Sequence, residues 1–297
     1  QNDFHDGSLA VPGASAQAVR IAKMIRDNTA NNKLGEIFVT LDSHHKKHIA
    51  HKSFWSSLEN DVNNKGTEPP NFTIITEESL QKGSWFPKDP SLQSYCLKYT
   101  RGLESQGRFK LTIWPDHCLI GSDGHAIQDD IQSAIRSWDT HHFTKSVKYI
   151  HKGMNCLTEM YSAIAAEVPV KTDHTTTENT ELLDALLESK RLIVCGQALS
   201  HCVNFTVCDI VKHWKKNHRN LSDIYILTDG SAPVSGFEDN ARQFLTNMQQ
   251  EGLTLTTIDK AFDNWEAPGN SATAQVASAE GHNGDFGKQL VDAVTTY

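Results

Sequence analysis

Three features of the 297-residue chain predict an α/β fold, a mostly parallel sheet covered by helices on both faces. Short β-rich apolar runs alternate with segments of helical period. The runs are apolar almost throughout, as strands buried on both faces are. Residues able to do chemistry gather just after those runs, at the carboxyl ends of strands, where sites form in such sheets.

Strands are expected at 37–41, 147–150, 192–195, 224–227 and 253–258, and helices at 14–28, 130–138, 157–166, 180–188, 202–215 and 240–249. Residues 56 to about 108 interrupt the alternation with a long polar stretch of scattered aromatics, an inserted and partly structured lobe. The chain therefore divides into one domain over 1–263, carrying that insertion, and a low-complexity extension over 264–297 rich in Ala, Gly, Ser and Asn. No internal repeat is visible.

Composition narrows the function. A formal net charge of −8 gives no reason to expect nucleic acid or an anionic membrane surface as partner, and no stretch approaches the roughly 18 apolar residues of a membrane helix. The 6 cysteines lie far apart without a CxxC pair, which fits a reduced, intracellular and cytoplasmic protein better than a disulfide scaffold. A small neutral or cationic substrate suits the charge balance.

Three clusters carry the candidate chemistry. The segment Asp42-Ser43-His44-His45-Lys46-Lys47-His48 leaves the first strand with a carboxylate and an imidazole two residues apart. These are ligand types for zinc, manganese or iron, and His117 in Trp114-Pro115-Asp116-His117-Cys118 offers a third. With 15 histidines in the chain, a chance cluster on a solvated loop remains the alternative. Next, the strand at 192–195 runs through Gly196 to Cys202 at the start of a helix. Backbone N–H groups and the helix dipole there favour thiolate and could hold an oxyanion; a buried structural cysteine is the bland reading. Lastly, Lys152 follows the strand at 147–150 and can reach the same cleft, where an ammonium stabilises thiolate, although most lysines are surface residues.

Together these segments resemble the nicotinamidase branch of the isochorismatase-like cysteine hydrolases. The resemblance runs through Gln1-Asn2-Asp3-Phe4 with Gly7 to Ala14, Asp42-x-His44 with His48, Trp114-Pro115-x-His117-Cys118, Lys152-Gly153 with Tyr161-Ser162-Ala163, and Gly196-x-Ala198-Leu199-x-x-Cys202-Val203. These occur in family order over roughly residues 1–260. The resemblance implies a six-stranded, Rossmann-like three-layer fold. It implies deamidation of nicotinamide to nicotinic acid and ammonia in NAD salvage, with Cys202 as nucleophile and Lys152 beside it. The oxyanion falls to the N–H groups of Ala198 and Cys202, with a cis peptide at Gln197–Ala198. Phe4, Trp114 and Tyr161 would wall the ring site. A divalent metal, zinc first and iron or manganese after it, would sit on Asp42, His44 and His117, with His48 as a further ligand or outer contact; His45 and His51 match no family position and read as loop. A homo-oligomer stays open.

The chain departs from the pattern in several places. The family aspartate precedes the Gln-Asn-Asp-Phe motif by two residues, a position before Gln1, and Asp3 matches a different acidic residue. The expectation is a truncated sequence whose first strand is also missing, or a polypeptide that cannot run the chemistry unaided. The metal loop reads Asp-Ser-His-His where Asp-Trp-His-Pro is common, and Ser200 stands where an acidic residue is frequent. An amidase for another small amide, or a non-catalytic metabolite- or metal-binding relative, are the competing readings.

Overall fold

The computed structural model describes residues 1–58, 66–265 and 293–296, the last group as backbone only. Helix α1 (Ala14–Ala30) leads into β1 (Glu36–Asp42). Four two-residue strands follow, β2 (Trp55–Ser56), β3 (Ile74–Ile75), β4 (Phe86–Pro87) and β5 (Leu111–Thr112), interleaved with α2 (Glu77–Gln81) and α3 (Gln93–Gln106). The chain continues through α4 (Asp129–His141), β6 (Lys148–Lys152), α5 (Thr180–Leu187), β7 (Leu192–Cys195), α6 (Cys202–Lys216), β8 (Ile224–Leu227), α7 (Glu238–Glu251), β9 (Thr254–Thr256) and β10 (Ala293–Thr296).

Among the described residues the main sheet has six strands in the order β6-β1-β10-β7-β8-β9, and every pair is parallel. The slot between β1 and β7 is filled by β10, which falls within the stretch 264–297 read from the sequence as an extension. Residues 266–292 of that stretch, and 59–65 of the insertion, lie outside the described residues.

Strand alternation sorts the core into two layers. Ile37, Val39, Leu41, Ile193, Cys195 and Leu227 face the layer built with α1 and α4. Phe38, Leu192, Val194, Ile224 and Ile226 face the layer built with α5, α6 and α7. The predicted three layers are present, and most predicted elements fall within a few residues of the observed ones.

One element does not form. Residues 157–166, expected as a helix, contain no helical turn. Local side chains take over the backbone groups that a helix would have used. Asn155 accepts from the Leu157 N–H (2.9 Å), Ser162 Oγ from the Ile164 N–H (3.1 Å), and Thr206 Oγ1 from the Ala163 N–H (3.0 Å). The insertion, by contrast, is more ordered than expected: β2 pairs with β4 and β3 with β5, both antiparallel. Helix α3 buries Cys96, Tyr99 and Leu103 in a third apolar cluster, shared with Phe4, Trp114, Tyr161 and Cys202. That cluster caps the carboxyl end of the sheet and forms the wall of the site.

Candidate active site

The carboxyl ends of β1 and β6 lie side by side, with Asp42 opposite Lys152 in the register. Their side chains form a buried ion pair, and the Lys152 ammonium also donates to the Met160 carbonyl (3.2 Å) and lies 3.3 Å from Cys202 Sγ. Cys202 is the first residue of α6, delivered there by the turn from β7 through Gly196. Carboxylate, ammonium and thiol thus stand in a row. Asp42 is fixed from behind by Gln1, whose side-chain amide donates to its carbonyl (2.7 Å) and accepts from its N–H (2.8 Å).

Burial opposes the charges of this row, and their proximity restores them. Desolvation would neutralise Asp42, but the Lys152 ammonium and His117 hold its carboxyl well below the usual carboxylate range. Burial likewise disfavours the Lys152 ammonium, yet Asp42 and the Cys202 sulfur outweigh it and raise its pKa. For Cys202 burial wins: the thiol is pushed up to about 11 against the pull of the ammonium. This corrects the expectation that the helix start would yield a ready thiolate. The residue is only 6% exposed, and removal from water outweighs the helix terminus.

The aromatics expected around the ring site converge on the sulfur. Phe4, Trp114, Tyr161, Asp42 and Ala198 line one narrow recess with Cys202, an enclosed space of about 20 Å³. The Trp114 indole donates to the Tyr161 hydroxyl (2.9 Å), which locks both rings. The Gln197–Ala198 peptide is cis, as the resemblance implies.

Asp3 has a structural place. Its Oδ2 accepts from the Cys118 N–H (2.6 Å) and its Oδ1 from the Ser8 N–H (3.1 Å), pinning the strap that carries His117. Gly7 and Gly124 pack directly against this carboxylate, where a Cβ would clash.

The histidines gather behind the row. The rings of His44, His48, His51 and His117 form a cluster with centroids 4.7–5.4 Å apart. Asp42 reaches its edge, with Oδ2 3.6 Å from His117 Nε2. Burial, then the neighbouring rings, holds His44 and His48 well below the usual imidazole range, and burial and His117 bring His51 down to about 4. Neutral imidazoles are what a metal needs, and these three supply them, whereas at His117 burial is outweighed by the Asp42 carboxylate, which raises the pKa. His44 Nδ1 and His51 Nε2 are buried without a hydrogen-bond partner, the mark of donor atoms shaped for an ion. The cluster therefore fits a divalent metal. His45, by contrast, is exposed.

Two residues escaped the sequence reading. His51 was read as loop, and Glu159 sat in the helix that does not form. Glu159 is buried and lines the recess; desolvation raises its pKa to about 7, against the Met160 N–H and the Lys152 ammonium. The repeated histidine spacing after β1 was the available signal for His51. For Glu159 a carboxylate beside Tyr161 was the only hint.

No family model matches the chain. In sequence it is 32% identical over 151 residues to the nicotinamidase of Escherichia coli (strain K12), an alignment covering 50% of this chain and 59% of that protein. Among solved structures, the Acinetobacter baumanii nicotinamidase/pyrazinamidase superposes with a TM-score of 0.55 at 19% identity, covering 88% of this chain and 93% of that one. The yeast nicotinamidase superposes with a TM-score of 0.56 at 19% identity, covering 86% and 95%. The chain is thus similar in sequence, over the aligned half, to one nicotinamidase and shares the fold of two solved nicotinamidases.

Proposed function

We propose that the protein is a metal-dependent cysteine amidohydrolase that converts nicotinamide to nicotinic acid and ammonia through a thioester on Cys202. The observation that carries this reading is the Lys152 ammonium 3.3 Å from Cys202 Sγ and paired with Asp42, at the floor of an aromatic recess. A relative in sequence is a nicotinamidase, and the yeast nicotinamidase has been solved with the inhibitor nicotinaldehyde.

Phe4 and Trp114 flank the ring and bring its carboxamide to the sulfur, so that the reaction becomes intramolecular. The thiol gives up its proton as it attacks the carboxamide carbon, and Lys152 stabilises the sulfur's negative charge. The resemblance assigns the proton acceptor to a family aspartate that has no counterpart in this sequence. The N–H groups of Ala198 and Cys202 receive the oxyanion. The same proton returns to the departing nitrogen, releasing ammonia and leaving the acyl group on sulfur. Water then adds to the thioester, its hydroxyl going to the acyl carbon and its proton to the sulfur. A divalent ion on the histidine cluster, zinc first, would supply a Lewis acid beside the recess.

Ammonia release by the full chain across a panel of amides, with and without chelator, tests the reading. Nicotinamide is expected to be the preferred substrate and chelator to suppress turnover. Preference for a ureido or maleamic amide would assign the chain to another amidase. The raised Cys202 pKa favours one rival, a non-catalytic binder; nicotinamide binding without ammonia from any amide would establish it.

A further inference from the structure

The family resemblance puts the metal on Asp42, His44 and His117, but the donor atoms of this chain are arranged differently. We propose that three imidazoles, His44, His51 and His117, hold the ion, and that Asp42 serves as the partner of Lys152 and not as a ligand.

The ligand atoms of His44, His51 and His117 all lie within 4.8 Å of one another, and all three residues are buried. Their hydrogen bonds set which nitrogen is free. His117 Nδ1 donates to the Pro115 carbonyl (2.8 Å) and His51 Nδ1 to the Lys46 carbonyl (3.4 Å), which leaves His51 Nε2 with its lone pair and turns His117 Nε2 toward Asp42 Oδ2 at 3.6 Å. A ligating histidine is ordinarily fixed in this way, one nitrogen on a carbonyl and the other on the ion. His51 Nε2 has no partner at all, and neither does His44 Nδ1. Buried acceptors left in that state are costly, and an ion satisfies both together.

The alternatives are already engaged. His48 Nδ1 accepts from the Ala50 N–H (3.2 Å), and its Nε2 donates to the Thr158 carbonyl (3.1 Å), so it has no lone pair to offer. This weighs against the second possible group, His44 with His48 and Glu159, in which Glu159 also accepts from the Met160 N–H (2.8 Å). Asp42 belongs to neither group: one carboxylate oxygen is taken by the Lys152 ammonium, and the other faces His117 at 3.6 Å. Asp42 therefore sits beside the ion as a counter-charge. Three imidazole nitrogens form a set that zinc accepts.

This inference rests on the metal part of the proposed function, and its readouts do not involve turnover. The full chain is stripped with chelator, and its zinc affinity is measured by competition with a chromogenic chelator for the parent, His51→Gln, Asp42→Asn and His48→Gln. His51→Gln is expected to weaken zinc binding by more than about 100-fold, while Asp42→Asn and His48→Gln stay within the roughly 10- to 100-fold typical of outer contacts. The reverse order, with Asp42→Asn the more damaging, overturns the assignment. Imidazole 15N spectra of the parent chain give the same answer without substitution: on zinc addition His51 Nε2 is expected to shift and both His48 nitrogens to stay. A shift at His48 with none at His51 overturns it as well. If the parent binds no zinc, both the assignment and the metal dependence fail, whereas failure to release ammonia leaves zinc binding intact and counts only against the proposed reaction.

Discussion

Lys152 is the residue on which the site balances, because it is the buried cation between a buried carboxylate and a buried sulfur. Replacing it by Met leaves Asp42 charged in the interior without its ammonium partner, and losing one side of a buried pair typically costs about 3–5 kcal/mol. It also removes the one nearby group that lowers the Cys202 pKa by both charge and hydrogen bond. The thiolate reacts and the thiol does not, so alkylation of Cys202 should climb with pH and level off only above about 11. In Lys152→Met that inflection should move higher still, and the variant should melt earlier. Peptide mass spectrometry of iodoacetamide-treated protein reads the first effect and thermal denaturation the second. A parent inflection below about 9, the ordinary thiol range, would contradict the electrostatic picture. At this scale much of the site was legible from residue types at family spacing: Cys202, Lys152, Asp42, His44 and His117 all converge. His51 was not, because the histidine spacing after β1 does not reveal where the loop folds back. The thiol's protonation was not either, because burial depends on α3 and the aromatic wall, far away in sequence.

At the scale of elements, the strap that carries His117 is held by Asp3, and Asp3 is confined by two glycines. A Cβ at Gly124 would collide with the Asp3 carboxylate, so Gly124→Ala should displace it and free the Cys118 N–H. Leaving that buried group unsatisfied costs about 1–3 kcal/mol. Chemical denaturation should show the loss. A Gly124→Ala variant as stable as the parent would mean that the Asp3 pin is dispensable. The regular elements were readable because their hydrophobic period is local. Residues 157–166 were not: their apolar spacing imitates a helix, but Ser162, Thr206 and Asn155 claim the backbone N–H groups instead. The insertion was underestimated for the converse reason, since its order comes from packing α3 against Phe4, Trp114 and Tyr161 and not from any period of its own.

Over the whole molecule, the parallel sheet does one thing for function: it aligns the carboxyl ends of β1, β6 and β7 so that three distant stretches of chain deliver Asp42, Lys152 and Cys202 to one point. The layered architecture followed from the alternation of apolar runs and helical segments. The strand between β1 and β7 did not, because Ala293–Thr296 is a short run after a stretch of low complexity. In the proposed reaction the sulfur at this point is the nucleophile. Ammonia release from nicotinamide by the parent chain and by Cys202→Ala, each with its zinc content measured, tests it most directly. Release is expected from the parent and none from the variant, with equal zinc in both; a variant that still releases ammonia would mean that another group attacks the carboxamide.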